Sequence, residues 1–323
     1  MSRDPSSRTR VLLTGGTGGA KLVLGFHEET APEDLVIVCN TADDSVVHGL
    51  HVSPDVDTIV YTLAGLIDPA KGWGVRDDTF TVLDQLQRLG NETWFRLGDR
   101  DIATHLTRTR LLSEGQPLSQ VTAALCRALG VRTRVLPMTD QRVETRLATP
   151  DGEISFQEYF VKARWQPEVL SLCYQGIEES RPAPGMLKAI GDAASVVVCP
   201  SNPATSIGPI LAVPGVRQAL RDTPARVVAV SPMVQGRSFS GPAHKLMATL
   251  GVEASVTGLA EVYRDFVDVL VIDMEDRHLR PAVERLGVEV RTTSIRMDTL
   301  EDKKRLAGEL LELHHTRSGR TAG

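Results

Sequence analysis

Four carboxylates fall inside nineteen positions of the stretch "NTADDSVVHGLHVSPDVDT" (40–58): Asp43 and Asp44, then Asp55 and Asp57, with Gly49 and Pro54 between the pairs. Two carboxylates about 4 Å apart repel by about 4 kcal/mol at an effective dielectric near 20, so such a concentration needs cations, donors or solvent to offset it. A divalent cation is the natural counter-charge. Hard oxygen ligands suit Mg²⁺, which takes one or two carboxylates and completes its octahedron with water and substrate phosphates; Mn²⁺ or Ca²⁺ fits the same donors. The alternative is a solvated acidic loop with capping aspartates, because Asp57 precedes "TIVYTLAGL" and could serve as its N-cap.

A second chemical feature lies upstream. "TGGTGGAK" (14–21) puts Gly15, Gly16, Thr17, Gly18 and Gly19 between an apolar run and a helical pattern. Backbone N–H groups and the positive end of a helix receive phosphate at such a junction. The spacing matches neither common phosphate motif. A Walker A loop needs Gly before its Lys and Ser or Thr after it, where Ala20 and Leu22 stand. The dinucleotide fingerprint, counted from Gly16 and Gly18, would place its third glycine on Lys21, and Asn40 stands where an acid would hold the ribose of NAD. The loop reads as an anion site for a nucleotide, with a plain strand-to-helix turn as the alternative.

These features need elements to hold them. "RVLLTG" (10–15) reads as a strand, "GAKLVLGFHEE" (19–29) as a helix and "DLVIVCNT" (34–41) as a strand buried on both faces. The alternation returns in "SVVVCPSNP" (195–203), "ARVVAVSP" (225–232), "VDVLVID" (267–273) and "VEVRTTS" (288–294), with helical patterns between them. This predicts an α/β fold, a Rossmann-like, doubly wound and mostly parallel sheet. Residues 10–58 and 166–300 form the expected nucleotide-binding core. Residues 59–165 change to helical spacing and then to a hairpin at "RLATPDGEISFQEYFV", so an inserted, mainly helical subdomain is expected there. Residues 1–9 and 315–323 read as loose tails.

In such a sheet, ligands gather beyond the carboxyl ends of the strands. The acidic loop and the glycine loop should therefore share one crevice with "PSNP" (200–203) and "SP" (231–232). Ser201, Asn202 and Ser231 can donate to phosphate or ribose there, and Gly241 opens a helical pattern. Asx turns and helix caps explain the same residues structurally.

Composition sets the bounds. The chain has 323 residues, is 41% hydrophobic and carries a formal net charge of -5, which disfavours a broad nucleic-acid surface or an electrostatic membrane anchor. No signal peptide or spanning segment is expected, which points to the cytoplasm. Cys39, Cys126, Cys173 and Cys199 lack the paired spacing of zinc or redox motifs and read as buried free thiols.

Six segments in order, "TGGTGGAKL", "NTADDSVVHGLHVSPDVDT", "LGDRDIATHLTRT", "VLPMTD", "PSNPATSIGPIL" and "VVAVSP" followed by "SGPAHKLM", resemble the CofD/FbiA-type 2-phospho-L-lactate transferases of coenzyme F420 biosynthesis. The resemblance runs from about residue 10 to residue 295. It implies transfer of a phospho-lactate, phosphoenolpyruvate or phosphoglycerate moiety from a guanosine diphosphate conjugate to the ribityl hydroxyl of a deazaflavin, Fo, with GMP released. By the same resemblance Asp43 and Asp55 hold Mg²⁺. Asp57 contacts the deazaflavin and orients or deprotonates its hydroxyl, Arg96 and Phe80 help bind it, and the protein is a homodimer. A sister group of gluconeogenesis-factor (YvcK-like) proteins, which resemble nucleotide-sugar-binding regulators, shares the glycine loop but lacks the "SPDVDT" and "LGDRDIATH" segments. "DRDIATH" also sets Asp101 and His105 four apart on one helical face, which reads as a structural hydrogen-bond or ion-pair network rather than a base.

Overall fold

The computed structural model describes residues 9–238 and 243–313. Seven strands form one parallel sheet: β1 (Arg10–Thr14), β2 (Leu35–Cys39), β3 (Arg134–Pro137), β4 (Ser195–Val198), β5 (Arg226–Val230), β6 (Val269–Ile272) and β7 (Glu289–Thr292). Their spatial order is β7-β6-β5-β4-β1-β2-β3. The order reverses between β1 and β4, where chain following the two strands diverges and leaves a crevice at their carboxyl ends.

Side-chain alternation explains why these runs are strands buried on both faces. Val11 and Leu13 of β1 join one apolar cluster with Val36 and Val38 of β2, while Leu12, Leu35 and Ile37 point into the other. Helix α1 (Gly16–Glu29) covers the second face and buries Leu22, Val23 and Phe26. It packs against the C-terminal helix Leu300–Glu312 at very short range: a methyl group on Gly25 would sit 2.2 Å from the backbone oxygen of Lys303. Only a residue without a side chain permits that approach.

Residues 59–165, expected as an inserted helical subdomain, are tied closely to the main sheet. Helix α2 (Pro54–Leu63) lies under the main sheet, with Val56, Ile59 and Val60 in the same cluster as α1. Helices α3 (Thr81–Arg88), α4 (Asp99–Ser113) and α5 (Leu118–Ala128) follow. The chain then returns to the sheet as β3, paired to β2 from Val36↔Arg134 to Cys39↔Pro137. The helical stretch is thus an enlarged crossover between two neighbouring strands. The boundary at 165 also moves, because Glu144–Thr149 pairs with both Gly152–Ser155 and Ser171–Gln175 in a separate antiparallel sheet. The hairpin at the Asp-Gly turn forms, but the expected second strand ends at Ser155 and Glu158–Lys162 coils into a π-helical turn.

A short hairpin, Ser45–Val47 with Leu50–Val52, separates the two acid pairs. Its turn residues His48 and Gly49 both have positive φ, 51° and 79°, the conformation of a two-residue hairpin turn. Cys39, Cys126 and Cys199 are buried free thiols as expected, whereas Cys173 is exposed on the small sheet. The tails and Gly241 lie outside the described residues, apart from Thr9 at the edge of β1.

Candidate active site

The carboxyl ends of β1, β2 and β4 open on a cavity of about 470 Å³. Its floor is where the sequence places its chemistry. Asn40, one residue past β2, is fully buried and holds the acids together: its amide nitrogen donates to Asp43 Oδ2 at 2.9 Å, to Asp55 Oδ2 at 3.0 Å and to the Thr205 carbonyl at 3.1 Å. Its own amide oxygen accepts from Ala42 N–H. The residue that fails to bind a ribose in the dinucleotide reading is instead the brace that draws two aspartates from separate turns onto one donor.

Asp43, Asp55 and Asp57 are all buried. Burial, and then the neighbouring Asp55, holds the Asp43 carboxyl well above the usual carboxylate range. Burial pushes Asp55 up to about 6 against the opposing hydrogen bonds from Asn40 and the Gly16 N–H. Asp43 Oδ1 is buried and has no hydrogen-bond partner among the described residues. Two desolvated carboxylates, one with an oxygen that completes no hydrogen bond, form an oxygen set that fits a hard divalent cation. Asp44 belongs to a different contact: Ser53 Oγ donates to it at 2.6 Å, and His51 Nε2 lies 3.7 Å away.

Asp57 is not a helix cap. Ser53 occupies the cap position of α2, and the Asp57 N–H already donates to the Ser53 carbonyl. Both of its carboxylate oxygens instead meet Arg108 of α4, a guanidinium with no exposed surface. Arg108 Nη1 also approaches His105 Nδ1 at 3.1 Å, and on the other side of the ring Nε2 lies 3.2 Å from Asp101 Oδ1, which accepts from the Tyr61 hydroxyl at 2.7 Å. The side chains of Asp57, Asp101 and His105 converge closely enough to be a cation site by distance alone. Arg108 already supplies the positive charge there. Arg108 can only donate, so the His105 Nδ1 lone pair facing it is already engaged.

The glycine loop approaches from β1. Gly15 N–H donates to Ser201 Oγ at 3.2 Å, and that hydroxyl donates back to the Gly15 carbonyl at 2.7 Å, which ties the ends of β1 and β4 together. Gly15 is extended, so its requirement is for space rather than conformation: a Cβ there would lie 2.5 Å from Asp55 Oδ2 and 2.8 Å from Ser206 Cβ. Gly15→Ala is therefore expected to displace Asp55, costing about 1–3 kcal/mol of stability and most of the activity; a melting curve together with a rate measurement checks both. Gly16, with φ 65°, starts α1, leaving Thr17 and Gly18 at the cavity.

Gly15, Gly16, Thr17, Gly18, Ser201 and Asn202 all line the cavity, as do Asp43, Asp55, Asp57 and Arg96. Gly19, Ser231 and Phe80 do not. Gly19 is buried beneath the loop, where a Cβ would lie 1.9 Å from Thr14 Oγ1. Ser231 is fully buried and its hydroxyl is spent on the Met233 carbonyl at 2.9 Å; the neighbouring Pro232 reaches the cavity instead. Phe80 stands behind Arg96, whose guanidinium lies 4.3 Å from the Phe80 ring centre. Gly241 is outside the described residues. Asn202 lines the wall through an Asx turn, its side-chain oxygen accepting from Ala204 N–H at 2.9 Å.

Two aromatic groups complete the walls. Trp73, Trp94 and Phe95 come from the helical crossover, and Phe156 and Phe160 from the helical stretch 156–162 that contains the π-helical turn. Phe156 and Phe160 stack at 5.4 Å with 19° between planes. Gln157 anchors this turn to the acid pair by donating to the Asp43 carbonyl at 3.1 Å. The second group was missed because the segment reads as a strand, whereas the phenylalanines' four-residue spacing puts them on one face of a helical turn. Arg108 had a visible signal: it stands three residues after His105 on the same helical face.

Comparison with known proteins supplies the lineage. Residues 11–309 match the family model described as "2-phospho-L-lactate transferase CofD". The chain is 42% identical over 309 residues to the phosphoenolpyruvate transferase of Streptomyces griseus, covering 94% of this chain and 97% of that one. It is 43% identical over 300 residues to the 2-phospho-L-lactate transferase of Methanothermobacter thermautotrophicus, covering 93% and 96%. Among solved structures, a member of the UPF0052 family from Bacillus halodurans superposes with a TM-score of 0.64 over 96% of this chain and 99% of that chain, at 16% identity, a likeness of fold alone. Among the described residues, no helix is long and apolar enough to cross a membrane.

Proposed function

Because the chain belongs to the CofD family and is a transferase acting in coenzyme F420 biosynthesis, we propose that it moves a phospho-acid from a guanosine diphosphate conjugate to the ribityl hydroxyl of Fo. The acid is lactate, enolpyruvate or glycerate, and the products are a phosphodiester and GMP. The observation that carries this reading is the joining of Asp43 and Asp55 on the Asn40 amide, beside the N-terminus of α1 in a cavity with aromatic walls.

Each part of the site has a task in that reaction. Asp43 and Asp55 would hold Mg²⁺, which supplies charge neutralisation on the donor phosphates and in-line alignment when bound. Thr17 and Gly18 present the first turn of α1 to those phosphates. Ser201 and Asn202, at the end of β4, form the adjoining wall for the nucleotide. The aromatic residues and Arg96 offer flat faces and a cation to the deazaflavin. Asp57, fixed by two contacts from Arg108, accepts a hydrogen bond from the attacking hydroxyl and orients it. With both carboxylate oxygens already held by Arg108, the arrangement suits positioning of the hydroxyl.

Incubation of the pure protein with Fo, Mg²⁺ and each donor in turn is expected to release GMP and yield a deazaflavin heavier by the phospho-acid. Absence of product with all three donors would refute the proposal. Donor competition with mass identification of the product decides among the acids.

A further inference from the structure

The cavity floor is strongly acidic: Asp43, Asp55, Asp57 and Asp101 all line it. The acids named as transferable groups each carry a carboxylate next to the carbon bearing the phosphate. Such a group enters this cavity only against a cation. Asp43 and Asp55 are assigned to the phosphate end, and Arg108 is fully buried and paired with Asp57. Arg96 lies over Phe80 on the wall of the helical crossover.

The lining also includes Arg164. Its residue is exposed, and among the described residues no carboxylate lies within ion-pair distance of its guanidinium. The backbone places it there under strain. Arg164 and Trp165 are consecutive non-glycine residues at φ 49° and 48°, a region that L-residues rarely adopt and that persists only where surrounding contacts impose it. Those contacts are visible. Trp165 N–H donates to the Tyr159 carbonyl at 2.8 Å, Lys245 Nζ donates to the Trp165 carbonyl at 2.9 Å, and the Trp165 ring meets Phe160 at 5.4 Å. The left-handed pair follows the π-helical turn, sets Trp165 against Phe160 and keeps Arg164 in the cavity lining.

We propose that Arg164 binds the carboxylate of the transferred acid, so that its guanidinium distinguishes a phospho-acid donor from a neutral phosphoester of the same shape. The inference rests on the transferase reading above and adds the residue that recognises the acid. A guanidinium matches a carboxylate with two parallel N–H···O bonds, which an amide cannot accept in the same way.

The test uses the full chain and two synthetic donors, the guanosine diphosphate conjugate of lactate and its lactamide counterpart. Wild type is expected to favour the acid donor. Arg164→Gln should lower kcat/KM for the acid donor by about 10- to 100-fold and change the amide donor by less than about threefold, abolishing the preference. Turnover of the amide donor at the wild-type rate also shows that the variant is folded. Equal losses with both donors would assign Arg164 to the phosphates or to loop structure, and no loss with either would remove it from the site; each result overturns the inference. Failure of the wild type with every donor is a separate outcome, which strikes the transferase reading itself.

Discussion

Asp43→Asn and Asp55→Asn are each expected to abolish turnover while raising the melting temperature of the metal-free protein. The catalytic loss follows from the metal reading: cation charge stabilisation is worth several kcal/mol in the transition state, a loss on the order of a thousandfold. The stability gain follows from burial. Asp55 is pushed from 3.8 to about 6, chiefly by desolvation, so the folded state binds an extra proton between those values. Stability contributed by the protonated form is present below about pH 4 and is lost as pH rises through about 6. Near neutral pH the folded chain therefore carries a desolvation cost on the order of 3 kcal/mol at this residue, and Asp43 shifts in the same direction. Removing one charge should raise Tm by about 3–6 °C, with the gain shrinking as the buffer approaches pH 4. Scanning fluorimetry with and without Mg²⁺ checks this. Mg²⁺ should stabilise the wild type and leave the variants unmoved, and active variants with unchanged Mg²⁺ response would contradict the assignment.

Arg108→Met should be the most destabilising single exchange near the cavity. Arg108 is fully buried, and its loss leaves Asp57 without a counter-ion and withdraws a donor from the His51 carbonyl. Breaking one side of a buried pair costs about 3–5 kcal/mol. The second half of the prediction separates charge from packing: adding Asp57→Asn to Arg108→Met should recover a large part of that loss, because the stranded charge is gone. Urea unfolding of the two single variants and the double variant measures the coupling. Additive losses would mean that Arg108 acts through packing alone. The same guanidinium helps hold the His51 imidazole down to about 4, after burial as the larger cause, so the loss of Arg108 should also let His51 take a proton more readily.

The sheet was legible because its strands are apolar on both faces, as in "LVIVC" and "SVVV", and few other elements produce such runs beside glycine-rich turns. β3 was not. "RVLP" is four residues long, begins with Arg134 and ends with Pro137, and pairs only along one side. An edge strand of that length leaves almost no periodic trace. The acidic loop announced a charge problem from composition alone, but its solution lay in Asn40, whose role depends on Asp55 and Thr205 arriving from 15 and 165 positions away. Burial of Arg108 was hidden for a similar reason. "THLTRTR" reads as a solvated helix until the Asp57 side of the cavity closes over it. Ser231 marks the opposite error, a hydroxyl in a plausible place that its own turn consumes.

The tight seam between Gly25 and Lys303 has a consequence during synthesis. The helix that begins at the glycine loop leaves the ribosome well before the element that covers its outer face, which is made about 280 residues later. At about 5–20 residues per second the interval is on the order of 15–55 s. Until then Leu22, Val23 and Phe26 lack part of their final surroundings, and that face of the helix stays partly uncovered on the nascent chain. A chain cut before residue 300 would contain every residue that lines the cavity and lack the helix that closes on Gly25.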